Sequence, residues 1–104
     1  MMSRLFDDMI EFVIEEADDS EKYAKLALKL KDTHADLAKM FEELSADEYK
    51  HMTKLCEHMT KLAQEYEKNM IPQDMAQVFN YLHKGMLKEK SMLIKHLHGM
   101  YSGT

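Results

Sequence analysis

The chain has 104 residues, 45% hydrophobic and 32% charged, with a formal net charge of -5. That length suits one domain over residues 1–104 and leaves no room for a second. Acidic and basic residues are interspersed, so no basic stripe is present to neutralise phosphates and no nucleic acid partner is expected.

No apolar run reaches the roughly 18 residues of a transmembrane helix, so no membrane partner is expected either. The start, Met1-Met2-Ser3-Arg4-Leu5-Phe6-Asp7-Asp8, meets acidic residues too early for a signal peptide. The single Cys56 has no partner for an internal disulfide, and a reducing, cytoplasmic location is the expectation. With 3 Gly, 1 Pro and few β-branched residues, the composition favours helix over sheet.

The first helix is expected from about Ser3 to Lys31, with Phe6, Ile10, Val13, Ala17, Ser20, Ala24 and Ala27 on one face. Met9, Glu16, Tyr23 and Leu30 run beside that face. Lys31-Asp32-Thr33-His34 interrupts the pattern, and Thr33 with Asp36 resembles a capping box. The second helix, from about His34 to Lys68, carries Leu37, Phe41, Leu44, Glu48, His51, Leu55, His58 and Leu62 in one stripe. Asn69-Met70-Ile71-Pro72 ends it, and Pro72 suits the first turn of a third helix. That helix runs to about His98 with Gly99 as its stop, and its stripe is Leu82, Met86, Glu89, Leu93, His96 and Met100. Such near-heptad seams suit long helices packed nearly antiparallel, and three of them leave one side for a partner chain to cover.

Glu16, Glu48 and His51 break the apolar rhythm. An unpaired carboxylate in a core costs several kcal/mol, so something must compensate it. Glu48 and His51 are three apart and point from one helix face toward one spot. An oxygen and a nitrogen ligand converging in this way suit iron, manganese or zinc. Glu16 would bring a third ligand from the neighbouring helix.

The segment Leu44-Ser45-Ala46-Asp47-Glu48-Tyr49-Lys50-His51 resembles the second-helix motif of the ferritin-like superfamily, which includes rubrerythrins. Ile14 to Ala27 is similar to the first-helix motif, with Glu16 seven residues before Tyr23. The two glutamates are 32 apart, close to the family's separation, and the resemblance covers roughly Ile14 to Leu55. It implies an all-α ferritin-like bundle with Glu16, Glu48 and His51 as metal ligands and a di-iron cofactor. The third helix has no Glu-x-x-His, so one chain holds half of the family's ligand set. Encapsulated ferritins are the nearest pattern, because their di-iron site lies between two subunits. A two-fold dimer, or a higher homo-oligomer, would then complete both bundle and site. No Cys-x-x-Cys pair is present, so the rubredoxin module of full rubrerythrins is absent.

Plainer readings of the same residues stay open. Ser45 and Glu48 would form a capping box if the helix broke there. His51 would be a core histidine bonded to Glu48 alone, and Glu16 a surface residue. Glu89 and His96 read more readily as a solvated pair or an interface hydrogen bond than as ligands. His34 and His58 read as flank positions, the 11 Met residues as adaptable packing, and Cys56 as a small buried hydrophobe. Two functions follow. One is a di-iron carboxylate protein acting as a ferroxidase or small oxidase, with its site between subunits. The other is a metal-free ferritin-like scaffold or partner-binding module of bacterial or phage origin.

Overall fold

The computed structural model describes residues 2–68 and 85–103. Among these residues the chain is all-helical, with no strand. Helix α1 spans Met2–Leu30, α2 spans Ala35–Lys68 and α3 spans Leu87–Ser102. The expected boundary around Asn69–Pro72 and the first part of the expected third helix lie outside the described residues.

The tight turn after α1 uses its own backbone. The amides of Thr33 and His34 both donate to the Leu30 carbonyl, at 3.2 and 2.8 Å. The His34 carbonyl then accepts the first bond of α2 from the Ala38 amide at 2.9 Å. His34, not Thr33, therefore occupies the capping position. The Thr33 hydroxyl lies 3.0 Å from His34 Nδ1 instead of capping the helix.

Cross-helix pairs set the orientation. His51 lies beside Glu16, Ser45 beside Ser20, and Phe41 stacks on Tyr23 at 5.9 Å, so α1 and α2 are antiparallel. On α3, Lys90 meets Asp18 and Glu21, while Tyr101 lies under the ammonium of Lys31 at 5.6 Å. Helix α3 thus runs parallel to α1 in the groove it shares with α2.

The α1 face follows the expected stripe. Val13, Ala17, Ser20, Ala24 and Ala27 are buried, and Ile10 is half-buried. The stripes on α2 and α3 are displaced by one position. On α2 the buried residues are Ala38, Ser45, Met52, Cys56 and Met59, while Leu37 is exposed and Phe41, Leu44 and Leu55 are marginal. On α3 they are Leu87, Ile94 and Leu97, while Met86, Leu93 and Met100 face solvent. The reason is packing distance. Small residues at Ala17, Ser20, Ala24, Ala38 and Ser45 let the backbones of α1 and α2 approach closely, and the larger side chains are pushed to the flanks.

The contact is locked by two reciprocal bonds. Ser20 Oγ donates to the Ser45 carbonyl at 2.8 Å, and Ser45 Oγ donates to the Ser20 carbonyl at 2.6 Å. With both hydroxyl protons used, His98 Nε2–H is the donor to Ser45 Oγ at 2.8 Å, which ties α3 to the same layer. Toward one end, Val13, Ala17, Met52, Cys56, Met59 and Leu87 form an apolar cluster. Each buried aliphatic side chain there contributes about 1.5–3 kcal/mol relative to exposure. Burial also pushes the Cys56 thiol above its ordinary pKa, in keeping with a small core hydrophobe.

Helix α3 does not stop at Gly99. It continues to Ser102, and Gly103 closes it in the left-handed region at φ 81°, its amide donating to the Met100 carbonyl at 3.3 Å. Packing of Tyr101 against Lys31 carries the helix past a glycine that would otherwise be a natural end.

Candidate metal centre

Glu16 lies on the flank of α1, beside the close-packed face formed by Ala17 and Ser20. Glu48 and His51 lie on the corresponding flank of α2. The unbroken course of α2 from Ala35 to Lys68 excludes a helix break at Ser45, whose hydroxyl is engaged across the helix pair. The capping-box reading of Ser45 and Glu48 is thereby removed.

The structure brings Glu16, Glu48 and His51 together, with one ligand atom from each within 4.8 Å of the others. His51 Nδ1 lies 3.4 Å from Glu16 Oε2 and 3.8 Å from Glu48 Oε1. The histidine therefore faces both carboxylates and is not bonded to Glu48 alone. Its side chain is 58% exposed, which opens the cluster to solvent, whereas the side chain of Glu16 is 28% exposed.

Electrostatics mark the three as an unsatisfied set. Glu16 Oε2 is buried and has no hydrogen-bond partner. The Glu48 carboxyl is pushed up to about 7, first by the proton it shares with Glu16, then by burial and by the charge of Glu16. Asp19 pushes in the same direction, and His51 opposes. Two carboxylates and an imidazole converge, with His51 Nδ1 3.4 Å from the orphaned oxygen but not hydrogen-bonded to it. This is the donor set a divalent transition metal takes, and the residues fit such an ion.

Glu89 and His96 are both exposed on α3 and do not join this centre. His34 and His58 are exposed as well. Two polar constellations escaped sequence reasoning. Lys90 binds Asp18 at 2.6 Å and Glu21 at 2.8 Å, and these bonds raise its pKa. Glu42 stands 4.0 Å from His98 Nε2, and burial raises its carboxyl pKa against the pull of that histidine. Neither shows in a helical pattern, because the partners are 72 and 69 residues apart in the first and 56 in the second.

An antiparallel helix pair carrying a Glu on one helix and a Glu-x-x-His on the other has the features of the ferritin-like carboxylate proteins. The comparisons agree. The family model for rubrerythrin matches residues 12–102, and the chain belongs to the rubrerythrin family. Comparison with curated proteins and with solved structures returns no significant match. No helix among the described residues is long and apolar enough to cross a membrane.

Proposed function

We propose that this chain is half of a di-iron carboxylate protein, a ferroxidase or small oxidase whose metal site is completed by a second copy. The observation that carries the reading is the convergence of Glu16, Glu48 and His51 around an orphaned buried carboxylate oxygen. The apolar surroundings support a partner on the same side. Phe12 and Leu26 on α1, and Leu37 on α2, are exposed on the flanks that also carry the three ligands. Two copies related by a two-fold axis would contribute four carboxylates and two histidines, the family's full complement.

Each ligand has a distinct task. Glu16 and Glu48 supply negative charge, and the two pairs of a dimer balance two divalent cations. Glu48, whose carboxyl is held protonated up to about pH 7, would release its proton on binding a cation. His51 adds a neutral nitrogen on the solvent side, where it sets the approach to the carboxylates. Burial of Phe12 and Leu37 against the second copy would keep bulk water from the acids. Bound iron would supply the one-electron steps by which dioxygen or peroxide is reduced.

Aerobic addition of iron(II) tests this. A near-ultraviolet ferric absorbance should appear and saturate at about two irons per dimer, as the four-carboxylate complement requires. Glu48→Ala and His51→Ala should each lose it, and Glu89→Ala should keep it. Wild-type protein oxidising iron(II) no faster than buffer would end the ferroxidase reading.

A further inference from the structure

The flank of α3 turned away from the core carries an apolar stripe that neither the fold nor the metal centre uses. Met86, Leu93 and Met100 recur every seven residues and are 41%, 39% and 50% exposed. Met92 beside them is 64% exposed. Between these residues, on the same flank, stand Glu89 and His96. Among the described residues neither has an ion-pair partner. A sixteen-residue helix with this many exposed large apolar side chains is far from an ordinary solvent face.

We propose that this stripe pairs antiparallel, across a two-fold axis, with α3 of a further copy of the chain. Charge and symmetry argue for the second copy and for the direction. A parallel pairing would set Glu89 against Glu89 and His96 against His96. An antiparallel pairing with its axis beside Leu93 sets Glu89 of each copy against His96 of the other, so each carboxylate accepts a hydrogen bond from an imidazole N–H. The arrangement satisfies the polar members twice and closes Met86 and Met100 over the two ends. A surface complementary to itself in this way is what an isologous contact requires.

This surface is separate from the one that completes the metal centre. Helix α3 meets α1 through Asp18 and Glu21, whereas Glu16 faces α2 and the open flank. Two isologous surfaces on one chain, when their two-fold axes meet, build a closed dihedral assembly, of which the smallest is a tetramer. A helix of sixteen residues makes a contact smaller than the roughly 800 Å² per partner of a standard interface. In a tetramer it forms twice at once, and the two contacts reinforce each other.

The test is the mass of the full-length protein by light scattering and native mass spectrometry at micromolar concentration. Wild type should exceed a dimer. Leu93→Glu and Glu89→Lys should each reduce it to two chains, with helical circular dichroism unchanged. Glu89→Lys combined with His96→Glu should restore the larger species. Phe12→Glu on the α1–α2 flank should instead leave a dimer that Leu93→Glu then splits. A dimer split by Phe12→Glu but untouched by Leu93→Glu would overturn the α3 pairing and leave the proposed metal-centre dimer standing. A dimer split by Leu93→Glu alone would support the α3 pairing and remove the metal-centre dimer. A monomeric wild type, or a larger species indifferent to both α3 substitutions, would overturn the pairing.

Discussion

Replacing Glu48 by Gln in metal-free protein tests whether the two acids repel in the folded state. The Glu48 carboxyl, raised from 4.5 to about 7, binds its proton more tightly in the folded chain than in the unfolded one. The contribution of this group to folded stability is therefore fully present below about pH 4.5 and is lost as pH rises through about 7, where the folded state must give up that proton. At about 1.4 kcal/mol per pKa unit the full shift would correspond to roughly 3 kcal/mol. Solvent reaches the cluster past the exposed His51, and screening reduces the effect to about 1–2 kcal/mol. Glu48→Gln keeps the shape, offers Glu16 an N–H donor and removes one charge. In chelator-treated protein at pH 8 it should raise the melting temperature by roughly 5–15 °C. It should also flatten the loss of stability between pH 5 and 8. Thermal unfolding followed by circular dichroism across that range is the assay. An amide variant less stable than wild type at pH 8, without metal, would show that the carboxylates do not repel.

Three further outcomes follow from the packing. Ser20→Leu should cost about 3 kcal/mol or more in denaturant unfolding, because it overfills the closest point of α1 and α2 and removes the bond from Ser20 Oγ to the Ser45 carbonyl. Ile94→Ala should cost about 2–5 kcal/mol, and hydrogen exchange should show α3 losing protection before α1 and α2. The Glu21 carboxyl is held below its ordinary 4.5, first by Lys25 and then by Lys90, so the stability it adds is present above that value and lost as pH falls through the lowered one. Lys90→Ala should remove about 1 kcal/mol at neutral pH and shrink the acid-side loss seen in a pH titration of unfolding.

The convergence of Glu16, Glu48 and His51 was legible because its spacing is local. Glu48 and His51 share a face by the arithmetic of one helical turn, and the rhythm around Glu16 placed it in the same layer across an antiparallel pair. The α1 face was legible for the same reason. On α2 and α3 the reading followed the large apolar residues and landed one position off. The contact surface is made by Ala38 and Ser45, which look unremarkable in a hydropathy pattern yet permit the close approach. Exposed Met86, Leu93 and Met100 consequently read as core. The end of α3 was misplaced because Gly99 carries a stop signal that the contact of Tyr101 with Lys31 overrides. The anchoring of Lys90 by Asp18 and Glu21 could not be read at all, since nothing local couples residues so far apart in the chain.

The central claim is that Glu16, Glu48 and His51 hold metal. Elemental analysis of protein purified without chelators or an affinity tag tests it most directly, with Glu48→Ala prepared in parallel. Wild type should carry iron, or manganese or zinc in its place, at about one ion per chain, the share that two ions per four-carboxylate dimer assigns to each copy, and the variant should carry none. Wild-type protein with no more bound metal than Glu48→Ala would contradict the account.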